Sequence, residues 1–152
     1  VYIETTIVSY LSGLPSRDLI AAAHQQITRD WWAKRDRFEL FVSQLVLDEA
    51  AGGDAVAAQR RRSDLSGLPI LDVNDAAKNL AQALIASRVI PAVAAVDALH
   101  VATAAVHGME YLVTWNCKHI ANAQMRHRIE AVCRLRGLDP STICTPEELL
   151  EE

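Results

Sequence analysis

Four residues carry oxygen ligands within or next to apolar segments of the chain: Glu4, Glu49, Asp97 and Asn116. Asp97 is the clearest candidate for a functional residue. It lies in AVAAVDALHVATAA (residues 92–105), a segment with the apolar residues of a buried helix on almost every side. A carboxylate buried without a partner destabilises a protein by several kcal/mol. Carboxylates that come together repel each other unless a cation lies between them. Because oxygen ligands suit Mg²⁺ or Mn²⁺, these residues predict a divalent-metal site.

Each of these residues also has an ordinary structural explanation. Glu4 can cap a helix or lie on the surface, and Glu49 follows another acid, in a pair of which one member commonly faces water. Asp97 can pair with an arginine, or it can form a hydrogen bond with His100 three residues on. Asn116 is a common turn residue. The metal site therefore depends on all of these residues meeting in the fold.

The composition bounds the class of protein. The chain has 152 residues, 51% of them hydrophobic and 22% charged, which is typical of one globular domain. Its net charge of −4 means that contact with nucleic acid must come from a local basic patch. Three cysteines without a CxxC pair favour a reducing compartment, and no segment has the roughly 18–20 apolar residues that cross a bilayer. We therefore expect a cytoplasmic protein that makes no membrane contact.

Short apolar segments alternate with helical ones along the chain. This alternation favours a parallel sheet that is covered by helices on both faces. We therefore predict a single α/β domain over residues 1–152, a three-layer α/β/α sandwich with a central, mainly parallel sheet of four to five strands. The expected strands are residues 1–4, 39–42, 70–73, 111–115 and 142–145, and the longer expected helices are 18–35, 74–89, 91–108 and 119–136.

The predicted topology brings the four oxygen-bearing residues to one edge. In open sheets of this kind, ligands bind beyond the carboxyl ends of the strands. Glu4 ends the first expected strand, and Asn116 directly follows the fourth. We expect Glu49 and Asp97 two turns into helices that begin near the same edge. The residues lie far apart in the sequence, so their meeting at this edge would be stronger evidence than any one of them alone.

Four segments together resemble a known family. They are YIETTIVSYL at the start of the chain, SQLVLDEA (43–50), AVDALHVATA (95–104) and YLVTWNCKHIAN (111–122). In this order and spacing they resemble the PIN domain, the small nuclease fold of the VapC-type toxins of bacterial toxin–antitoxin pairs. The resemblance extends over essentially the whole chain. It implies a metal-dependent endoribonuclease. In such an enzyme an acidic cluster binds Mg²⁺ or Mn²⁺, and the bound metal supports the hydrolysis of RNA.

The resemblance also implies a role for each residue of the cluster. Asp97 and Glu4 correspond to direct metal ligands, Glu49 to the residue that orients or deprotonates the attacking water, and Asn116 to a ligand for a second ion or a water. The family usually has Asp in place of Glu4, and often Asp in place of Asn116. The cluster therefore has one negative charge fewer than a full quartet, and we expect weaker metal affinity. Three hydroxyl side chains are expected to orient the carboxylates: Thr5, Thr6 and Thr114.

The resemblance implies three kinds of partner: an RNA substrate, a second copy of the chain in a homodimer, and an antitoxin protein. Apolar residues on the early helices are candidates for the protein contacts, namely Ile20, Trp31 and Trp32, and Trp115 is a candidate for stacking on a base. Cationic residues are candidates for RNA contacts, although a solvated helix face explains them equally well. They are Arg60, Arg61, Arg62, Lys118, His119, Arg126 and Arg128.

Two other functions compete with the nuclease. The first is a PIN-like protein that has lost catalysis and binds RNA or a protein partner, which the departures at Glu4 and Asn116 motivate. The second is a phosphoryl-transfer or receiver-like domain. This one needs a phospho-acceptor Asp at a strand end, where the chain has Glu4, and we therefore disfavour it.

Overall fold

The computed structural model describes residues 1–150, so the last two residues of the predicted domain, Glu151 and Glu152, lie outside the described part. Within it, five short strands alternate with seven α-helices. The strands are β1 (Tyr2–Ile3), β2 (Val42–Ser43), β3 (Ile70–Leu71), β4 (Tyr111–Val113) and β5 (Thr142–Cys144). The helices are α1 (Thr5–Ser12), α2 (Leu19–Ala33), α3 (Gln44–Ala50), α4 (Ala55–Leu65), α5 (Asp75–Ala86), α6 (Ala95–Val106) and α7 (Ala123–Leu135).

All strand pairs of the described chain are parallel. β1 pairs with β4 and β4 with β5, while β2 pairs with β3. A single bridge between Tyr2 and Phe41, together with a hydrogen bond of 2.9 Å from Ile3 N to Phe41 O, joins the two groups. The strands therefore follow the order β3-β2-β1-β4-β5, which confirms the predicted parallel sheet of four to five strands.

The helices form two packed groups around this sheet. The first group comprises α1, α2, α3 and α4, and the second comprises α5, α6 and α7. Tyr2 and Ile3 of β1 and Leu112 and Val113 of β4 are fully buried, as expected for central strands that are covered on both faces. The arrangement confirms the α/β class and the layered architecture. No helix in residues 1–150 combines the length and the apolar character that a bilayer crossing requires.

Side-chain caps explain where several helices begin. Asp18 accepts a hydrogen bond of 2.8 Å from Ala21 N at the start of α2, and Asn74 accepts one of 2.9 Å from Ala77 N at the start of α5. Both helices begin where the sequence predicts. α7 begins later than predicted, because the backbone from Asn116 to Ala121 turns back on the Asn116 carbonyl oxygen before the helix starts.

One of the predicted site residues lies at a different helical position from that expected. Residues Ala92–Ala94 form a 3-10 turn and α6 starts only at Ala95, so Asp97 lies in the first turn of α6 instead of two turns into it. Apolar spacing does not distinguish a 3-10 turn from the first turn of an α-helix. Glu49 lies about two turns into α3, as predicted, and because that helix has only 7 residues, Glu49 is in its last turn.

Candidate metal centre

Glu4 is held at the carboxyl end of β1 by three hydrogen bonds. It is the N-cap of α1, and its side chain is buried, with only 3% of the residue exposed. Its Oε2 atom accepts from Thr6 N at 3.1 Å, from Thr6 Oγ1 at 2.5 Å and from Thr114 Oγ1 at 2.7 Å. All three bonds fall on the same oxygen. Oε1 of Glu4 is therefore the oxygen that remains to bind a ligand.

The threonines that hold Glu4 are themselves fixed by the chain after β4. Thr6 Oγ1 accepts a hydrogen bond of 2.8 Å from Trp115 N, and Thr114 Oγ1 accepts one of 2.9 Å from Asn116 N. These bonds tie the start of α1 to the carboxyl end of β4. The position of the Glu4 carboxylate thus depends on two neighbouring strands, since β1 and β4 pair directly.

Glu49 reaches the same edge from α3. Its side chain is 41% exposed, and its Oε1 atom accepts a hydrogen bond of 2.7 Å from Thr5 Oγ1 and lies 2.6 Å from His100 Nε2. Burial acts to raise the pKa of Glu49, but the hydrogen bonds from His100 and Thr5 outweigh it and bring the pKa below its ordinary value. Glu49 is therefore a carboxylate at neutral pH.

His100 connects this edge to the core. Its ring is fully buried, and its Nδ1 atom lies 2.7 Å from Tyr2 Oη, which in turn lies 2.7 Å from Ser43 Oγ. Sequence reasoning considered His100 only as a partner for Asp97 and missed its contact with Glu49. A signal was present, since His100 is a polar residue with apolar neighbours at Leu99 and Val101.

The carboxylates of Glu4 and Glu49 form a pair suited to a cation, and His100 lies beside them. One ligand atom from each of these residues lies within 4.8 Å of the other two. Oε1 of Glu4 and Oε2 of Glu49 take part in none of the hydrogen bonds described above. Two carboxylate oxygens at this separation repel each other, and a divalent cation between them removes the repulsion. The donor set therefore fits a divalent metal.

Asp97 and Asn116 lie in a separate cluster with His119. Asp97 Oδ2 is 2.9 Å from His119 Nδ1, with side-chain exposures of 21% for Asp97 and 20% for His119. Asn116 Oδ1 accepts a hydrogen bond of 3.0 Å from His119 N. The partner of Asp97 is thus a histidine from the turn after β4, and neither an arginine nor His100. Sequence reasoning noted His119 only as a cation for RNA.

The two clusters are neighbours in the fold. Asp97 and His100 lie three residues apart on α6, which places them on the same face of that helix. Thr114 and Asn116 lie two residues apart after β4, and the hydrogen bond between them joins the turn to the threonine that holds Glu4. The structure therefore brings Glu4 and Glu49 together directly, and it brings Asp97 together with Asn116 through His119.

Most of the predicted RNA-binding arginines have structural contacts. Arg60 Nε donates to the Ser12 carbonyl oxygen at 3.1 Å, at the end of α1. Arg61 donates to the carbonyl oxygens of Ala50 at 2.9 Å and Gly52 at 2.6 Å, at the end of α3. These bonds satisfy carbonyl groups that a helix end leaves without intrahelical partners. Lys118, beside Asn116, is exposed.

The predicted aromatic contact residues are mostly core residues. Trp115 is buried, donates from Nε1 to Thr28 Oγ1 at 2.8 Å, and stacks on His24 with ring centroids 3.9 Å apart. Trp31 is fully buried, whereas Trp32 is half-buried under the guanidinium of Arg35. Neither Trp115 nor Trp31 therefore presents a free ring face for a base or a partner.

Comparison with known proteins gives one positive result. The sequence model of the PIN domain matches residues 1–116, a span that contains Glu4, Glu49, Asp97 and Asn116. No curated protein matches the chain, and no solved structure matches it.

Proposed function

Because this chain belongs to the PIN domain family, whose members are typically nucleases that use divalent metals, we propose that it is a metal-dependent endoribonuclease. One observation carries the proposal above the others. Carboxylate oxygens of Glu4 and Glu49, from two elements far apart in the sequence, lie within 4.8 Å of each other at the carboxyl edge of the sheet, with His100 beside them. An edge of this kind is where open α/β sheets bind their ligands.

The proposed metal is Mg²⁺ or Mn²⁺. Glu4 would bind it through Oε1, and Asp97 through the oxygen that does not contact His119. Glu49 and Asn116 complete the proposed set, Glu49 at the attacking water and Asn116 at a second ion. Thr5, Thr6 and Thr114 fix the carboxylates by their hydroxyl groups.

A divalent cation in such a site makes water acidic enough to act near neutral pH and neutralises charge on the scissile phosphate. Glu49 orients the attacking water, and its lowered pKa suits this role better than that of a strong base. The water oxygen forms a bond to phosphorus and its proton passes to solvent. The bond from phosphorus to the 3′ oxygen breaks, and that oxygen takes a proton from solvent. The products are a 5′-phosphate and a 3′-hydroxyl.

A groove next to the cluster offers a path for the substrate. It has a volume of about 500 Å³ and runs along α1 and the start of α2. Thr6, whose hydroxyl bonds Glu4, lines the groove together with Tyr10 and Gln25. The groove has no charged side chain: most of its lining is polar or aromatic, and Leu14 and Ala21 add an apolar part, as suits an unpaired nucleotide that is recognised by its base.

A cleavage assay tests the proposal. We expect single-stranded RNA to be cut in Mn²⁺ or Mg²⁺, to give 5′-phosphate ends, and to remain intact when EDTA is present. Asp97→Asn should abolish cleavage while the protein stays folded. Asp48→Asn is the matched control, because Asp48 is an exposed acid next to Glu49 whose contact is with Gln44. Cleavage that survives EDTA or Asp97→Asn would refute the proposal.

A second candidate function is binding of RNA or a protein partner without cleavage. The observation that favours it is the Asp97–His119 contact, because it occupies one oxygen of a proposed ligand. The Asn116 side-chain oxygen is occupied in the same turn. This candidate predicts that the chain binds labelled RNA equally well with Mn²⁺ and with EDTA, and that no cut product accumulates in either condition.

We further propose that the protein is the toxin of a toxin–antitoxin pair that acts in the cytoplasm, and that it forms a homodimer. The resemblance to VapC-type toxins supports the toxin role. Leu14, Leu19 and Ile20, which are exposed together around the start of α2, offer an apolar surface for a protein partner. Expression should arrest growth, and Asp97→Asn should relieve the arrest. Light scattering of the purified protein should give twice the mass of the chain.

A further inference from the structure

A chain of hydrogen bonds runs from the core of the protein to Glu49. Ser43 Oγ lies 2.7 Å from Tyr2 Oη, Tyr2 Oη lies 2.7 Å from His100 Nδ1, and His100 Nε2 lies 2.6 Å from Glu49 Oε1. Ser43, Tyr2 and His100 are fully buried. The four residues come from β2, β1, α6 and α3. A polar contact among four separate elements in a core requires every donor and acceptor to be matched.

Glu49, at one end of this series of hydrogen bonds, sets the direction of the bond next to it, and the other directions follow from that one. The carboxylate of Glu49 accepts hydrogen bonds and donates none, so the hydrogen between it and His100 belongs to Nε2. In the neutral ring, a hydrogen on Nε2 leaves the lone pair on Nδ1, and Tyr2 donates to it. The Tyr2 hydroxyl has a single hydrogen, and this bond uses it. Ser43 then donates to Tyr2 Oη.

This direction leaves His100 without a free lone pair. Nε2 is occupied by its hydrogen, and Nδ1 accepts from Tyr2. A metal ion at the acidic edge therefore cannot take a ligand from His100 unless the hydrogen bond to Glu49 is broken. A ring nitrogen of His100 lies within 4.8 Å of the carboxylate oxygens. In this arrangement His100 contacts Glu49, which faces the metal site, and is not itself a metal ligand.

We propose that His100 is a positioning residue, which Tyr2 and Ser43 hold in one tautomer so that it fixes Oε1 of Glu49 and directs Oε2 toward the metal site. The proposal rests on the proposed function, since it concerns the same acidic edge. It gives a role to a buried histidine that no other part of the site explains.

The need for such a device follows from where Glu49 lies. Glu49 is in the last turn of a 7-residue helix, with 41% of its side chain exposed. A glutamate with that exposure adopts many rotamers in water, and ordering it for a ligand costs conformational entropy. The bonds from His100 and Thr5 to the same oxygen hold the carboxylate by one atom and leave the other free. Groups that orient a ligand in this way commonly change metal affinity by about 10–100-fold when they are removed.

The first test reads the tautomer directly and requires no metal. Long-range proton–nitrogen correlation spectra of ¹⁵N-labelled protein distinguish a ring nitrogen with a hydrogen from one without. We expect Nε2 of His100 to carry the hydrogen and Nδ1 to lack it. Tyr2→Phe removes the donor to Nδ1 but leaves the bond from Nε2 to Glu49, so the hydrogen should stay on Nε2 while the Nδ1 resonance moves to that of a lone pair without a donor. A wild-type ring with its hydrogen on Nδ1, or on both nitrogens, overturns the proposal.

The second test measures Mn²⁺ affinity by calorimetry in a graded series of variants. We expect His100→Leu to weaken binding by about 10–100-fold and Tyr2→Phe by less, because Phe leaves the His100 bond to Glu49 possible. His100→Gln should stay within about threefold of wild type, because its amide can replace Nε2–H as a donor to Glu49. The matched control is His107→Gln, on a histidine whose Nε2 contacts the Asp72 carbonyl oxygen instead. It should leave affinity unchanged.

Each outcome decides between positioning and direct ligation. If His100→Gln weakens Mn²⁺ binding as much as His100→Leu does, or if pulsed electron paramagnetic resonance of the Mn²⁺ complex detects a directly bound histidine nitrogen, His100 is a ligand and the proposal is wrong. If the wild-type tautomer is as expected but the protein binds no Mn²⁺, the nuclease proposal fails and the hydrogen-bond assignment stands. Circular dichroism of every variant separates loss of affinity from loss of fold.

Discussion

Two regions at the carboxyl edge of the sheet are held in contrasting ways. The Glu4 region comprises Glu4, Glu49 and the residues bonded to them, and the Asp97 region comprises Asp97, Asn116 and His119. The carboxylate of Glu4 is buried, and all three of its hydrogen bonds fall on one oxygen. The carboxylate of Asp97 is 21% exposed, and its partner is the ring of His119, which is 20% exposed. The first carboxylate is fixed by Thr6 of α1 and by Thr114 directly after β4, whereas the second depends on a single turn that follows β4.

This difference indicates which region is prepared for a ligand. Ordering a side chain on binding costs free energy, and the Glu4 region has incurred that cost during folding. Asp97 Oδ2 has the His119 ring at 2.9 Å, and that contact competes with a cation for the carboxylate. If the comparison is right, removing a neighbour of Glu4 must weaken metal binding, whereas removing the neighbour of Asp97 must not.

The largest expected effect is that of Glu4→Gln. The amide keeps the size of the side chain and still offers one oxygen to Thr6 and Thr114, so we expect the fold to persist. It places an uncharged NH₂ group where Oε1 faces the metal site. We expect RNA cleavage to fall by about 100-fold or more, which corresponds to about 2.7 kcal/mol of transition-state stabilisation.

The matched control for this substitution is Glu110→Gln. Glu110 is exposed and precedes β4, at the opposite end of the strand from Thr114. Its replacement changes the net charge by the same amount as Glu4→Gln. Initial rates on the same RNA should be unchanged for Glu110→Gln, and an equal loss in both variants would mean that net charge matters more than the site.

Thr114→Val should have the next largest effect. Valine preserves the shape of the fully buried threonine but removes the donor to Glu4 and the acceptor for Asn116 N. We expect Mn²⁺ affinity to fall by about tenfold and the free energy of unfolding to fall by about 1–3 kcal/mol. Calorimetry and urea unfolding measure the two quantities.

Thr114→Ser restores the hydroxyl group without the methyl group, so it should recover most of the Mn²⁺ affinity. Recovery of stability without recovery of affinity would show that Thr114 supports the fold alone, and it would remove the proposed advantage of the Glu4 region.

The fold was largely predictable because its signals are local. Asp18 and Asn74 begin helices where their side chains cap free N–H groups, and the apolar segments of β1 and β4 are strands with both faces covered. The start of α6 was not predictable in the same way, since the 3-10 turn at Ala92–Ala94 has the same apolar composition as the helix that follows.

The contacts of the site were harder to predict, because they depend on residues that have ordinary local roles. Tyr2 is a strand residue in the sequence, and only the fold brings its hydroxyl to His100. His119 was expected inside a helix, but Asn116 accepts backbone hydrogen bonds that keep residues 116–121 in a turn, and this turn directs the ring to Asp97. Sequence spacing thus indicated which edge carries the acids, whereas the pairing of side chains at that edge required the structure.

His119→Ala should move Mn²⁺ affinity in the opposite direction from Thr114→Val. Removing the ring frees Oδ2 of Asp97. Because both side chains are partly exposed, the contact is weak, and we expect affinity to rise by about threefold. Titration calorimetry with Mn²⁺ at low ionic strength measures the change. A loss of affinity as large as that of Thr114→Val would show that His119 supports the site, and the two regions would then be alike.

The smallest expected effect concerns the acid stability of Glu49, which is bonded to Thr5 and His100 in the Glu4 region. Its pKa is lowered in the folded protein, because the hydrogen bonds from His100 and Thr5 outweigh the opposing effect of burial. A carboxyl group of this kind stabilises the fold above its unfolded pKa of 4.5, and the contribution disappears as pH falls through the lower folded value. We therefore expect Glu49→Gln to unfold at a lower temperature than wild type at pH 7, and we expect this gap to narrow as the pH falls below 4.5.

The difference at pH 7 should be small, well under about 1 kcal/mol, because Glu49 is 41% exposed and solvent screens its contacts. Thermal unfolding in a metal chelator at pH 7, 5, 4 and 3 isolates this contribution from metal binding. Asp48→Asn makes the same charge change on α3 at a residue whose contact is with Gln44, and it controls for net charge. A gap between wild type and Glu49→Gln that persists at pH 3 would mean that Glu49 is held by packing, and that its charge contributes nothing to the order of the Glu4 region.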